Sequence, residues 1–146
     1  MLDKQQIGRK LPAFSVTAEA GQLRFFARTI GETNPIYFDE NAARDAGHPA
    51  LPLPPTFLFS LEFLMPPSSW RDEVGIVPSR ILHGEESFTY HRMAYAGDVL
   101  RFEMRIADIY DKKAGALEFL VRETRVSNQR GEHVADLRSV LVQRNG

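Results

Sequence analysis

Leu100, Phe102, Met104 and Ile106 alternate with Arg101, Glu103, Arg105 and Ala107, and that period of two commits the C-terminal half of the chain to strands with one wet face. Turn residues divide the remainder of this half. Asp111-Lys112-Lys113-Ala114-Gly115 separates this strand from a second expected over Leu117 to Val126, and Ser127-Asn128-Gln129-Arg130-Gly131 separates that one from a third over Val134 to Val142. A fourth is expected near Glu86 to His91.

The N-terminal half follows another rhythm. From Thr17 to Ile30, Leu23, Phe26, Ala27 and Ile30 fall at helical spacing, with Thr17 available as a cap, Glu19 suited to the first turn and Gly31 suited to the position just past the end. A short second helix is expected after Asp39, a plausible N-cap, ending near Asp45 before Gly47. Pro49, Pro52, Pro54 and Pro55 then disfavour helix until Thr56. The run Phe57-Leu58-Phe59-Ser60-Leu61-Glu62-Phe63-Leu64 is apolar nearly all round, which suits a buried helix, and Phe57, Phe59, Leu61, Phe63 and Leu64 are expected inside. Pro66-Pro67 ends it, and residues 66–80, carrying Pro66, Pro67, Ser68, Ser69, Gly75 and Pro78, read as a flexible connection. Helices first and an antiparallel meander afterwards define an α+β domain with one apolar helix packed across a curved sheet, spanning residues 1–146 as a single unit.

Charge and composition remove several functions. The 18 basic and 19 acidic residues give a formal net charge of -1, so no electrostatic footprint for nucleic acid is present. The absence of cysteine removes disulfides and thiolate chemistry. The polar start Met1 to Gln6 lacks the apolar core of a signal peptide, and the longest apolar region, Leu51 to Met65, is interrupted by prolines and Glu62 and too short to span a bilayer. A cytoplasmic location without membrane contact is expected. The chain has no Gly-rich phosphate loop and no Gly-x-Ser-x-Gly elbow.

The loop Gly31-Glu32-Thr33-Asn34-Pro35-Ile36-Tyr37 joins two predicted helices. Taken alone, Asn34-Pro35 is a common turn initiator and Glu32 a solvated loop charge. The run also resembles the Gly-Asp-x-Asn-Pro-x-His motif of the MaoC-like, hot-dog-fold (R)-specific enoyl-CoA hydratases and 3-hydroxyacyl dehydratases. Gly31, Asn34 and Pro35 match it, with Glu32 at the Asp position and Tyr37 at the His position. Further blocks extend the resemblance over nearly the whole chain: Asp39 to Ala43, Pro54-Pro55-Thr56-Phe57, Leu82-His83-Gly84-Glu85, Phe88 to Arg92 and Ala96-Gly97-Asp98. As a set they look like the N-terminal-type module, similar to the non-catalytic subunits of two-subunit hydroxyacyl dehydratases.

The resemblance implies a hot-dog fold, an acyl-CoA or acyl-carrier thioester as ligand, no cofactor, and either a homodimer or a heterodimer with a catalytic MaoC-like subunit. It places Glu32, Asn34 and Tyr37 at the catalytic positions. Hydration of an enoyl thioester needs a base for water, an acid for the α-carbon and donors for the enolate oxygen. Glu32 keeps a carboxylate, one methylene longer; Tyr37 keeps only a hydroxyl, a poor base at neutral pH. Phe57, Phe59 and Phe63 are expected to line an acyl tunnel, with Arg92 near the ligand and Arg80, Arg92 and Arg138 available for coenzyme A phosphates. His48, close in sequence to the loop, can enter the site as a substrate contact or a substitute base, or be a plain loop histidine. His133 is expected to be exposed, and the spacing of His48, His83, His91 and His133 offers no metal site. Three functions remain open: a substrate-binding subunit with a degenerate Asp/His site, an active homodimeric hydratase or thioesterase using Glu32, and a non-enzymatic acyl-CoA-binding protein.

Overall fold

The computed structural model describes residues 1–145. Its centre is a five-stranded antiparallel sheet made of β1 (Phe14–Thr17), β2 (Ile81–Tyr90), β3 (Val99–Lys112), β4 (Leu117–Ser127) and β5 (His133–Arg144), in the spatial order β1-β3-β4-β5-β2. The expected meander is β3-β4-β5, and β2 returns to pair with the far side of β5. Four helices cover it: α1 (Ala20–Thr29), α2 (Glu40–Asp45), α3 (Phe57–Glu62) and α4 (Trp70–Val74).

Alternation on β3 works as the sequence predicts, with Leu100, Phe102, Met104 and Ile106 all buried. The strand runs past the expected end because a bulge between Ile106 and Asp108 leaves Ala107 unpaired and resets the phase, so that Ile109 turns inward. Leu58 and Leu61 of α3 join Phe102, Leu120 and Leu137 in one hydrophobic cluster, which places α3 against the inner face of the sheet.

Several expectations are corrected. Thr17 closes β1 rather than capping a helix, and α1 begins three residues later with no side-chain cap. Residues 66–80 are not simply a connection: α4 lies within them and buries Trp70 and Val74. The apolar helix stops at Glu62, leaving Phe63 70% and Leu64 50% exposed, whereas Phe57 and Leu61 are buried. Glu62 is the residue that goes inside. It meets Arg122 and the hydroxyl of Thr124, both buried on the helix-facing side of β4. An ion pair therefore sits under a helix that reads as apolar.

Gly84 shows why one glycine is fixed. At the β2 bulge, a Cβ there would lie 2.8 Å from Val142 Cγ2 and 3.0 Å from the Val140 carbonyl oxygen. Among the described residues no helix is long and apolar enough to cross a membrane.

Candidate active site

The motif loop is held by its own side chains. Past α1, Gly31 adopts φ 76°, and the amide of Glu32 returns to the Ala27 carbonyl at 2.9 Å, a left-handed helix ending that glycine permits. Glu32 Oε1 accepts from the amides of Thr33 and Asn34, both at 2.8 Å. Asn34 Oδ1 accepts from the Ile36 amide at 3.2 Å and starts the 3-10 turn Pro35–Tyr37. Asp39 then caps α2 by accepting from the Ala42 amide at 2.8 Å.

This arrangement assigns local work to two of the three catalytic-position residues. Glu32 turns one carboxylate oxygen toward its own backbone, and Asn34 is an exposed cap. Tyr37 alone of the three reaches a cavity, of about 380 Å³, formed with Leu53, Pro54, Leu58, Tyr90 and His91. Burial, aided by the nearby Glu32 carboxylate, pushes the Tyr37 phenol above its ordinary value, leaving still less phenolate to act as a base near neutrality.

The expected substrate contacts separate. Arg92 lines the Tyr37 cavity and its guanidinium reaches Glu132 at 3.5 Å. His48 does not line it; its Nδ1 lies 3.4 Å from the Tyr95 hydroxyl at the end of α2. Phe57 packs edge-on against Phe26 in the core, with ring centroids 5.1 Å apart. Phe59 and Phe63 line a different cavity, shared with Arg71 and Arg122. From the apolar helix only Leu58 faces Tyr37. Arg138 lies 3.6 Å from Glu85 on the surface, and Arg80 is exposed.

At the rim of the Tyr37 cavity the fold assembles a group that sequence spacing does not reveal. His91 Nε2 lies 2.8 Å from Asp136 Oδ2, and His133 Nε2 lies 2.9 Å from Asp136 Oδ1. The imidazoles lie 4.2 Å apart, and their ligating atoms with the carboxylate fall within 4.8 Å. His133 is half-buried rather than fully exposed. Because a guanidinium can only donate, Arg125 Nη1 at 3.2 Å fixes His133 Nδ1 as an acceptor and Nε2–H as the donor to Asp136. Metal ligation through His133 Nε2 would need the opposite tautomer, with Nδ1–H donating to an outer partner. The group is thus a carboxylate bracketed by two imidazoles. Burial works against its charge, and hydrogen bonds from His91 and His133 outweigh that, holding Asp136 below the usual carboxylate value.

Comparison with known proteins bears on the family and the fold. Residues 5–137 match the family described as FAS1-like, dehydratase domain region. A UPF0336 protein of Streptomyces coelicolor is 36% identical over 146 residues, covering 98% of this chain and 95% of the relative. Among solved structures, the C-terminally truncated HadBC (3R-hydroxyacyl-ACP dehydratase) complex from Mycobacterium tuberculosis superposes with a TM-score of 0.80 at 27% identity, covering 94% of this chain and 96% of that one. A MaoC-like dehydratase superposes at 0.84 with 23% identity, over 98% of this chain and 43% of the other. The fold is the hot-dog fold, and the class is that of the dehydratases and hydratases built on it. The chain belongs to the family described as FAS1-like, dehydratase domain region, together with the UPF0336 proteins.

Proposed function

We propose that this chain is the substrate-binding subunit of an acyl-thioester hydratase or dehydratase, shaping the acyl site while a related partner supplies the Asp and His that hold water. One observation carries the reading: at the motif loop, Glu32 is turned into its own backbone and the only group reaching the cavity is a phenol with a raised pKa. Such a loop presents to the cavity no group that readily accepts a proton from water at neutral pH.

Two features support a partner. β2 is a ten-residue edge strand with one side unpaired, a ready template for another sheet. The similar HadBC structure is itself a complex described as a 3R-hydroxyacyl-ACP dehydratase. The ligand is then an acyl-CoA or acyl-carrier thioester, its apolar part lying against Leu53, Pro54 and Leu58, with Arg92 at the rim. A cytoplasmic location, as expected from the sequence, belongs to the same proposal.

The test is crotonyl-CoA hydration by the purified chain, alone and mixed with a MaoC-like subunit that carries an intact Asp/His pair. The chain alone should be inert and the mixture active, with one positioned base contributing about 10²–10⁴-fold. In the isolated chain, Glu32→Asp with Tyr37→His should restore some turnover, lost again when Tyr37→Ala replaces Tyr37→His in the Glu32→Asp background. Brisk turnover by the unmodified chain, abolished by Glu32→Gln, would overturn the proposal in favour of an active homodimer. Acyl-CoA binding without turnover in any combination would leave a binding protein.

A further inference from the structure

A second cavity, of about 300 Å³, lies off another face of α3, between that helix, α4 and strands β2, β4 and β5. Its walls are apolar, with Phe59 and Phe63 from the helix side and Leu141 from the sheet. Every ionisable side chain lining it is basic: Arg71, Arg122 and His83. The acids nearby, Glu62 and Glu86, are not among its lining residues.

The charges inside are unevenly matched. Arg122 is 7% exposed and pairs with Glu62 through Nη2, but its Nε–H is buried without a partner. A buried orphan donor on a guanidinium costs free energy until an acceptor arrives. Arg71, whose Cζ stands 4.9 Å from the Trp70 ring centroid, pairs with no carboxylate among the described residues. Burial and the like charge of Arg122 hold Arg71 below its ordinary value. Behind the wall, burial raises the Glu86 carboxyl, which accepts from the Ser139 hydroxyl and lies 3.3 Å from His83 Nε2. An apolar cup lined by one guanidinium without a carboxylate partner and another with a spare N–H is matched by a ligand that is apolar along its body and anionic at one end.

We propose that this cavity is a binding site for a small organic carboxylate with an apolar chain, its head held by Arg71 and the Arg122 Nε–H and its tail lying against Phe59, Phe63 and Leu141. The site is separate from the Tyr37 cavity and does not depend on the hydratase reading. Guanidinium groups suit it because they bind carboxylates through paired N–H donors.

Trp70 makes the proposal measurable. It is the one tryptophan of the chain, is 1% exposed, and lies under Arg71. Octanoate titrated into the full chain should change Trp70 emission saturably, with a matching isotherm by calorimetry. Octan-1-ol, of equal length and no charge, should bind at least about tenfold more weakly, as expected when a charge-assisted hydrogen bond is lost. Arg71→Met, at a side chain on the solvent side, should weaken octanoate by a similar factor, whereas Tyr37→Ala should leave it unchanged. Glu62→Leu with Arg122→Met, which removes the buried pair together, should also weaken octanoate in a protein that still folds. The proposal is overturned if octanol binds as well as octanoate, if Arg71→Met binds octanoate like the parent, if Tyr37→Ala abolishes binding, or if calorimetry finds no saturable octanoate binding.

Discussion

Glu62→Leu is the perturbation that tests the interior most sharply. Glu62 is 4% exposed, and its carboxylate receives both Arg122 Nη2 and the Thr124 hydroxyl. Removing it strands a guanidinium whose Nε already lacks a partner and deprives a buried hydroxyl of its acceptor. Taking one member from a buried ion pair costs about 3–5 kcal/mol, because the remaining charge stays desolvated. At roughly 3 °C per kcal/mol for a chain of this size, Tm should fall by about 10–15 °C. Arg122→Met alone should cost a similar amount. The double change Glu62→Leu with Arg122→Met replaces the pair by apolar groups and should return to within about 1 kcal/mol of the parent. Urea denaturation followed by Trp70 fluorescence supplies the four stabilities of the cycle. A Glu62→Leu cost below about 1 kcal/mol, or a double variant as costly as the two single changes added, would refute the reasoning.

Three further outcomes are expected. Glu86 has its folded pKa raised above 4.5, chiefly by burial, so its contribution is fully present below that value and is lost as pH rises through the folded pKa; the stability of Glu86→Gln relative to the parent should therefore grow as pH rises above 4.5 in denaturant titrations. Gly84→Ala should cost about 1–3 kcal/mol through the contact with Val142, measured by thermal melts, and Val142→Ala in the same chain should recover part of it. Phe63→Ser should change stability by no more than about 0.5 kcal/mol in the same assay, since the ring is 70% exposed.

The sheet is legible in the sequence because its long strands state their period, and the Asp39 cap and the loop after Gly31 are legible because capping chemistry is local. The features that escape are short or non-local. β1 has four residues, too few for a period, and α4 hides in a segment rich in proline and serine whose inward residues are Trp70, Val74 and Ile76. The apolar helix looks longer than it is because the run continues through Phe63 and Leu64 while the chain turns away after Glu62. No local pattern marks Glu62 as buried, since its partner lies sixty residues on. His91 meets His133 and Asp136 only because β2 pairs with β5 across the intervening hairpins. Motif resemblance covers Tyr37 and the block that holds Tyr90, but nothing in the sequence singles out Leu58 from its apolar neighbours as the helix residue that meets them.

The buried pair also bears on how the middle strand finds its place. On β4, Glu118, Leu120, Arg122, Thr124 and Val126 share the inner face, and Glu123 and Arg125 fall between them in the alternation. A slip of one residue against β3 or β5 would turn Arg122 outward, carry Glu123 toward Glu62, and set two carboxylates together in the interior. An all-apolar inner face would penalise that error far less. The charges under α3 thus discriminate between alignments, and a chain carrying Glu62→Leu with Arg122→Met should equal the parent in stability yet refold with additional slow phases from misaligned sheets.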